Sequence, residues 1–338
     1  MFVTRRIRDA GLNILEEAGV EMRVWPGEED EGPSQDEVIE GARWADVLLS
    51  LLTEPVNRAV MEANPSLRGI AQFAVGYDNI DVGVATELGI PVSNTPGVLT
   101  DTTADLTWAL LLSVSRNIVT GDEYMRGNNY KLWGPNLLLG EDTSPGGDGR
   151  EKILGVVGFG RIGQAVTRRA MGFDMRVLAY DPYAREAIEA DGQAEWADLD
   201  QLLTESDFVS IHTLLSNETR HLISTAEFEK MKPTAYILNA ARGPIIDEAA
   251  LVVALNEGEI AGAGLDVYER EPKMVQGLAE CKNTVLLPHL GSASRGTRDK
   301  MATMAATNAI AMLQGDRAPN CVNADVYDST AYAKRSGH

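Results

Sequence analysis

"KILGVVGFGRIGQAVTRRAMGFDMRVLAYDP", residues 152–182, decides the fold. Ile153 to Val157 form a short apolar run of strand type, and Gly158, Gly160 and Gly163 follow it in G-x-G-x-x-G spacing. Ile162, Ala165, Val166 and Ala170 recur at roughly helical intervals, and "MRVLAY" gives a second strand ended by Asp181. Glycines so placed allow a tight turn, a close approach of backbone to a pyrophosphate, and close packing of helix on strand. The helix that starts there offers free N–H groups to phosphate oxygens. The spacing alone also occurs in ordinary Gly-rich loops. Here the strand before it, the helix after it and the acid beyond it agree on a dinucleotide-binding βαβ unit. A carboxylate at 181 can bond both ribose hydroxyls and repels a 2′-phosphate, which favours NADH over NADPH. Arg185 lies close by in sequence and leaves NADPH open.

The pattern continues outward in both directions. "SDFVSIHTLL", "TAYILNAA", "IAGAGLDVY" and "TVLLPH" read as strands, with "STAEFEKM" and "DEAALVVALNEG" as helices between them. Strands alternating with helices mean a parallel, doubly wound sheet, whose ligands sit at the carboxyl ends of strands. Residues 1 to 100 give a separate βα series without a Gly-rich fingerprint: "MFVTRRI", "EMRVW", "DVLLSLL" and "RGIAQFA" are strands, with helices between. "DTTADLTWALLLSVSRNI" is a long helix with N-cap candidates Asp101 and Thr102 and a broad apolar face, suited to burial between domains or subunits. A second long helix, "SRGTRDKMATMAATNAIAMLQG", carries the chain back to the first domain. The expected architecture is α/β, with two doubly wound parallel-sheet domains of Rossmann or flavodoxin-like type. One spans 1–100 with 291–338 and the other 101–290. "GEDTSPGGDGRE", residues 140–151, reads as a polar surface loop.

Composition limits the function. At 338 residues the chain exceeds the usual size of one core. It is 44% hydrophobic with well-mixed charges, as soluble globular proteins are. Its net charge of −20 argues against sequence-independent nucleic-acid binding. No apolar run has the length of a membrane helix, and the first residues lack a signal-peptide core, so a cytoplasmic location is the simplest reading. Cys281 and Cys321 form no close motif, so neither a disulfide framework nor a metal site is expected. An anionic substrate would have to be held by local cations or backbone N–H groups against the overall field.

Three polar residues past the fingerprint fit one chemistry. Arg242 follows the strand of "YILNAARGPIID", Glu271 lies in "GLDVYEREP" and His289 in "LLPHLGSAS". A planar guanidinium matches a carboxylate with two parallel hydrogen bonds. Histidine gives and takes a proton near neutrality, and an adjacent carboxylate favours its charged form. Reduction should therefore weaken as pH rises while oxidation gains. Each residue has a bland reading: a helix-end arginine, a loop acid, a core histidine. A cation at a helix start opposes the dipole there, and the three together behind a dinucleotide site favour catalysis.

With these motifs the sequence resembles the D-2-hydroxyacid dehydrogenases over nearly the whole chain, and the glyoxylate/hydroxypyruvate reductases among them. The resemblance rests on "GFGRIG", "NAARGPIIDEAAL", "GLDVYEREP", "PHLGSAS", "AQFAVGYDNIDV" and "NTPGVLTDTTADLTWALLL". It implies an active-site cleft between the domains, a homodimer, and NADH-dependent reduction of a small 2-oxo acid, glyoxylate or hydroxypyruvate, to the D-2-hydroxy acid. By the same resemblance Arg242 binds the substrate carboxylate, His289 donates the proton and Glu271 orients His289. Val75 and Gly76 offer backbone N–H groups to the substrate, and Leu52 lines the small end of its pocket. Phe159, Arg161 and Ile162 join the three fingerprint glycines in holding the cofactor, with Ala240 and Ala241 after the strand. Asp266 and Ser292 match positions near the nicotinamide, Thr103 another cofactor contact, and His212 one near the adenosine.

There are departures. Leu214 stands where the family often has proline. Gln72 stands where phosphoglycerate dehydrogenases have an arginine for the phosphate, and Val75 where phosphite dehydrogenases have lysine. These leave a small, unphosphorylated 2-oxo acid. A dehydrogenase for another 2-hydroxy acid stays open. So does an NAD-sensing corepressor of the same fold, because such proteins keep the triad.

Overall fold

The structure, a computed structural model, describes residues 1–28, 30–146 and 150–336. The chain forms two compact units, residues 1–99 with 293–338, and residues 100–292.

The first unit is built on a five-stranded parallel sheet: β1 Phe2–Val3, β2 Arg23–Val24, β3 Val47–Ser50, β4 Gly69–Gln72 and β5 Val92–Ser93, in the order β2-β1-β3-β4-β5. β3 and β4 are buried throughout, which is why they read as unbroken apolar runs rather than alternating ones. Side chains alternate across the sheet. Val47 and Leu49 join Leu12 and Leu15 of the helix Asp9–Glu17 and Ala302, Ala305 and Ala306 of the helix Arg295–Gln314. Leu48 and Ile70 face the other way, into Val38, Ala42, Val60 and Met61 of the helices Gln35–Trp44 and Arg58–Glu62. Each large aliphatic side chain buried in these layers contributes about 1.5–3 kcal/mol. The helix Arg295–Gln314 is capped by Ser294, whose Oγ accepts from Thr297 N, and stops at Gly315 in the left-handed conformation.

The second unit has seven parallel strands: β6 Ile153–Val157, β7 Arg176–Tyr180, β8 Glu195–Trp196, β9 Phe208–Ile211, β10 Tyr236–Asn239, β11 Gly262–Leu265 and β12 Thr284–Leu286. Their order is β12-β11-β10-β9-β6-β7-β8, so the winding reverses between β6 and β9. In such sheets the crevice at the strand carboxyl ends beside this reversal takes the ligand.

Three expectations change. The long helix spans Thr100–Ser115, so Asp101 and Thr102 lie inside its first turn rather than capping it, and Asp101 instead pairs with Arg169 at 3.2 Å. Its apolar residues Trp108, Leu110, Leu111 and Val114 are buried within their own unit, packed with β6 and β10 residues. The helix Ile118–Arg126 follows with no buried residue, its apolar side chains Ile118, Val119 and Met125 being exposed. In the loop at 140–151, residues 147–149 lie outside the described residues, and Thr143 is buried rather than on the surface.

Candidate active site

The turn after β6 shows what each fingerprint glycine does. Gly158 has φ +94, and a Cβ there would meet Thr213 N at 2.6 Å. A Cβ on Gly163 would meet Gly158 O at 2.2 Å, so this glycine lets the helix Arg161–Ala170 press against the turn. A Cβ on Gly160 would meet nothing within 4 Å. The space over Gly160, at an N-terminus that no side chain caps, is the cradle a pyrophosphate needs. We predict that Gly163→Ala costs roughly 1–3 kcal/mol of stability through overpacking. Gly160→Ala should leave the melting temperature alone and weaken NADH binding. Thermal melts with NADH fluorescence titration check both.

Asp181 ends β7, and its two oxygens accept from Phe159 N and Tyr183 N, each at 3.0 Å. It braces the turn while each oxygen keeps a lone pair for a ribose hydroxyl. The Phe159 ring is core, 2% exposed, so what it offers a ligand is backbone. Ile162 packs on the same core and Arg161 is exposed. Arg185 is engaged by Glu189 at 2.9 Å and stacks 4.2 Å over Trp196. His212 follows β9. Burial pushes its ring down to about 3, so it is neutral. Its Nε2 lies 2.7 Å from Ser210 Oγ, and its buried Nδ1 has no partner among the described residues.

At the end of β10 the buried Asn239 closes a turn over Ala240 and Ala241. Its Oδ1 accepts from Ala241 N at 3.0 Å and its Nδ2 donates to Arg242 O at 2.9 Å. Arg242 then stands on extended backbone, and its Nη1 donates to Ala241 O at 2.8 Å. The role of Gly243 differs from a simple turn. Its φ is ordinary, but a Cβ would meet the Tyr268 carbonyl carbon at 1.8 Å, so only glycine lets this segment lie against the one that carries Glu271.

Glu271 Oε2 accepts from His289 Nδ1 at 2.8 Å and Oε1 accepts from Tyr268 N at 3.1 Å. Burial pushes this carboxyl up, but the His289 hydrogen bond and charge, the Tyr268 N–H and the Arg242 charge together bring it below the usual carboxylate range. His289 has φ +56, a strained conformation of the kind that clusters at functional sites. Asp266, fully buried, sets that conformation. Its carbonyl accepts from His289 N at 2.9 Å, and its carboxylate oxygens accept from Leu290 N at 2.6 Å and Gly291 N at 2.7 Å. Burial raises the Asp266 carboxyl above its ordinary value despite these N–H groups and the His289 charge. Thr103 Oγ1 donates to Gly291 O at 3.0 Å, which ties the long helix to the same loop, and Ser292 follows directly. Leu52, Val75 and Gly76 stand in the first unit, half-buried in the loops after β3 and β4.

Asn239 and Tyr268, whose hydroxyl donates to Leu287 O at 3.0 Å, escaped the sequence reading. A polar residue closing the apolar run "YILN" is the signal that could have shown the first. Tyr268 carries none. Among the described residues no group of His, Cys, Asp or Glu side chains could hold a metal ion, and no helix is long and apolar enough to cross a membrane.

A dinucleotide cradle, with an arginine and a carboxylate-held histidine on the same sheet, defines an oxidoreductase that uses a nicotinamide cofactor. The model of the D-isomer specific 2-hydroxyacid dehydrogenase NAD binding domain matches residues 108–291. The chain belongs to that family. It is 48% identical over 328 residues to a glyoxylate reductase of Korarchaeum cryptofilum, covering 96% of each chain. A Thermus thermophilus protein of known crystal structure is 40% identical, with a TM-score of 0.85, covering 95% of this chain and 99% of that one. The NADPH-dependent glyoxylate/hydroxypyruvate reductase of Sinorhizobium meliloti, solved with NADP and malonate, is 29% identical with a TM-score of 0.81, covering 96% of each.

Proposed function

We propose that this protein reduces glyoxylate or hydroxypyruvate to the D-2-hydroxy acid with NADH. The observation that carries the reading is the His289–Glu271 pair at 2.8 Å, with the Arg242 charge acting on the same carboxylate. Gly158, Gly160 and Gly163 hold the pyrophosphate, Asp181 the ribose, and Thr103, Asp266 and Ser292 the loop beside the nicotinamide. The bound nicotinamide supplies the hydride that C2 receives. Arg242 holds the substrate carboxylate and polarises the C2 carbonyl. With Nδ1 committed to Glu271, His289 has Nε2 to give a proton to the carbonyl oxygen. Glu271 stays ionised, fixes the ring and stabilises its charged form. Val75 and Gly76 add backbone N–H groups for the carboxylate, and Leu52 limits substrate size.

NADH is the proposed cofactor because Asp181 would face a 2′-phosphate while Arg185 is engaged by Glu189 and Trp196. With glyoxylate in excess, kcat/KM for NADH should exceed that for NADPH by about tenfold or more, the worth of one like-charge clash. A preference for NADPH would refute the assignment.

A homodimer is also proposed, on a surface other than the long helix. Ile118, Val119, Met125, Leu132, Trp133 and Leu139 are all exposed, Leu132 at 82% and Trp133 at 72%. So many large apolar side chains in one run mark a surface that a second copy covers. Sedimentation equilibrium should give twice the chain mass, and Trp133→Glu should shift it toward the monomer. A wild-type monomer would refute this. Both cysteines are free, which suits a reducing, cytoplasmic compartment.

A further inference from the structure

The loop after β4 presents three consecutive backbone N–H groups, on Val75, Gly76 and Tyr77, that donate to no group among the described residues. Each belongs to a peptide whose carbonyl is tied down. Ala74 O accepts from Thr95 N at 2.8 Å, Val75 O from Asn94 Nδ2 at 2.8 Å, and Gly76 O from Gln72 Nε2 at 3.3 Å. A trans peptide puts its C=O and N–H on opposite edges of one plane. Tying each carbonyl therefore turns the next N–H away from the tying group.

The tying side chains are themselves fixed. Gln72 and Ser50 are fully buried, and Ser50 Oγ donates to Gln72 Oε1 at 2.7 Å. Gln72 Nε2 also donates to Asn79 Oδ1 at 2.8 Å, and Asn79 Nδ2 donates in turn to Leu51 O and Glu54 O. Turning the Gln72 amide over would set its oxygen against two acceptors, Gly76 O and Asn79 Oδ1. Asn94 is buried, its N–H donates to Asn320 O, and its carbonyl accepts from Asn308 Nδ2 at 3.1 Å. A buried polar network of this kind costs free energy unless every member is satisfied, so it rigidifies what it touches. Here it touches the carbonyl side of an accessible loop.

We propose that Gln72 and Asn94 are positioning residues for the substrate carboxylate. They hold the Gly76 and Val75 carbonyls so that the Tyr77 and Gly76 N–H groups, beside the Val75 N–H whose peptide Thr95 N ties, stand ready as an anion cradle. This rests on the reading that a 2-oxo acid binds at this loop. Uncharged carboxamides suit the task, because the recognising groups are the N–H dipoles they orient.

The test uses Gln72→Met and Asn94→Leu, which keep bulk and remove the tie. The nearly isosteric Gln72→Glu replaces donor by acceptor and serves where the first variant does not fold. For each, KM and kcat with glyoxylate are measured, with calorimetric dissociation constants for NADH and for oxalate, an unreactive dicarboxylate, on the NADH-bound enzyme. KM for glyoxylate and the oxalate constant should rise about tenfold or more, the worth of one hydrogen bond to a charged group, while kcat and the NADH constant hold. Unchanged oxalate binding in a folded variant overturns the proposal. An equal loss of NADH binding does so too, because it marks a merely structural role. A wild-type enzyme that turns over no 2-oxo acid defeats the proposed reaction instead, and its oxalate titration still reads the cradle.

Discussion

His289→Asn lowers kcat for glyoxylate reduction by roughly 10²–10⁴-fold, the usual worth of a positioned general acid. Asparagine is the informative replacement. Position 289 sits at φ +56, where asparagine is tolerated and alanine is strained, so the Asp266-braced turn should survive. The melting temperature and the NADH dissociation constant should therefore stay near wild type while turnover collapses. Wild-type kcat in this variant would remove His289 from the chemistry. The partner carboxylate sets an acid limit. Glu271 binds its proton less tightly in the folded chain than in the unfolded one, where a glutamate titrates near ~4.3. Its contribution to stability is therefore fully present above that value and is lost as pH falls through the lower folded one. The Glu271 carboxylate is therefore ionised across the neutral range.

Arg242→Ala removes roughly 2–5 kcal/mol of transition-state binding, a loss of about 30- to several thousand-fold in kcat/KM. The loss falls on both parameters, because the guanidinium binds the carboxylate in the ground state and polarises the carbonyl as charge develops. Arg242→Lys restores only part, since an ammonium cannot make two parallel hydrogen bonds. NADH binding should be unaffected, which fluorescence titration checks. An intact kcat/KM in Arg242→Ala would mean that another group holds the substrate.

Much of the fold was legible because it is written in repeating patterns. Strands buried on both faces read as unbroken apolar runs, and the three glycines announced the turn by their spacing. The candidate residues Arg242, Glu271 and His289 were legible because each stands next to a motif of its own, and the structure brings His289 and Glu271 within 2.8 Å. What escaped is set by contacts between residues far apart in sequence. Gly243 is required by the Tyr268 backbone pressed against it, and nothing near position 243 states that. That both Asp266 oxygens brace the loop that holds His289 is likewise written in no local pattern. Ser50, Gln72 and Asn79 form one network, Asn94 ties the same loop from another side, and buried polar groups of this kind have no periodicity to betray them. The helix Ile118–Arg126 was missed because its apolar residues face outward.

The central claim is that the His289–Glu271 pair and Arg242 serve hydride reduction of a small 2-oxo acid. Steady-state kcat/KM with NADH for glyoxylate, hydroxypyruvate and pyruvate tests it most directly. Turnover of glyoxylate and hydroxypyruvate with NADH is the expected result. No NADH oxidation with any short 2-oxo acid would contradict it.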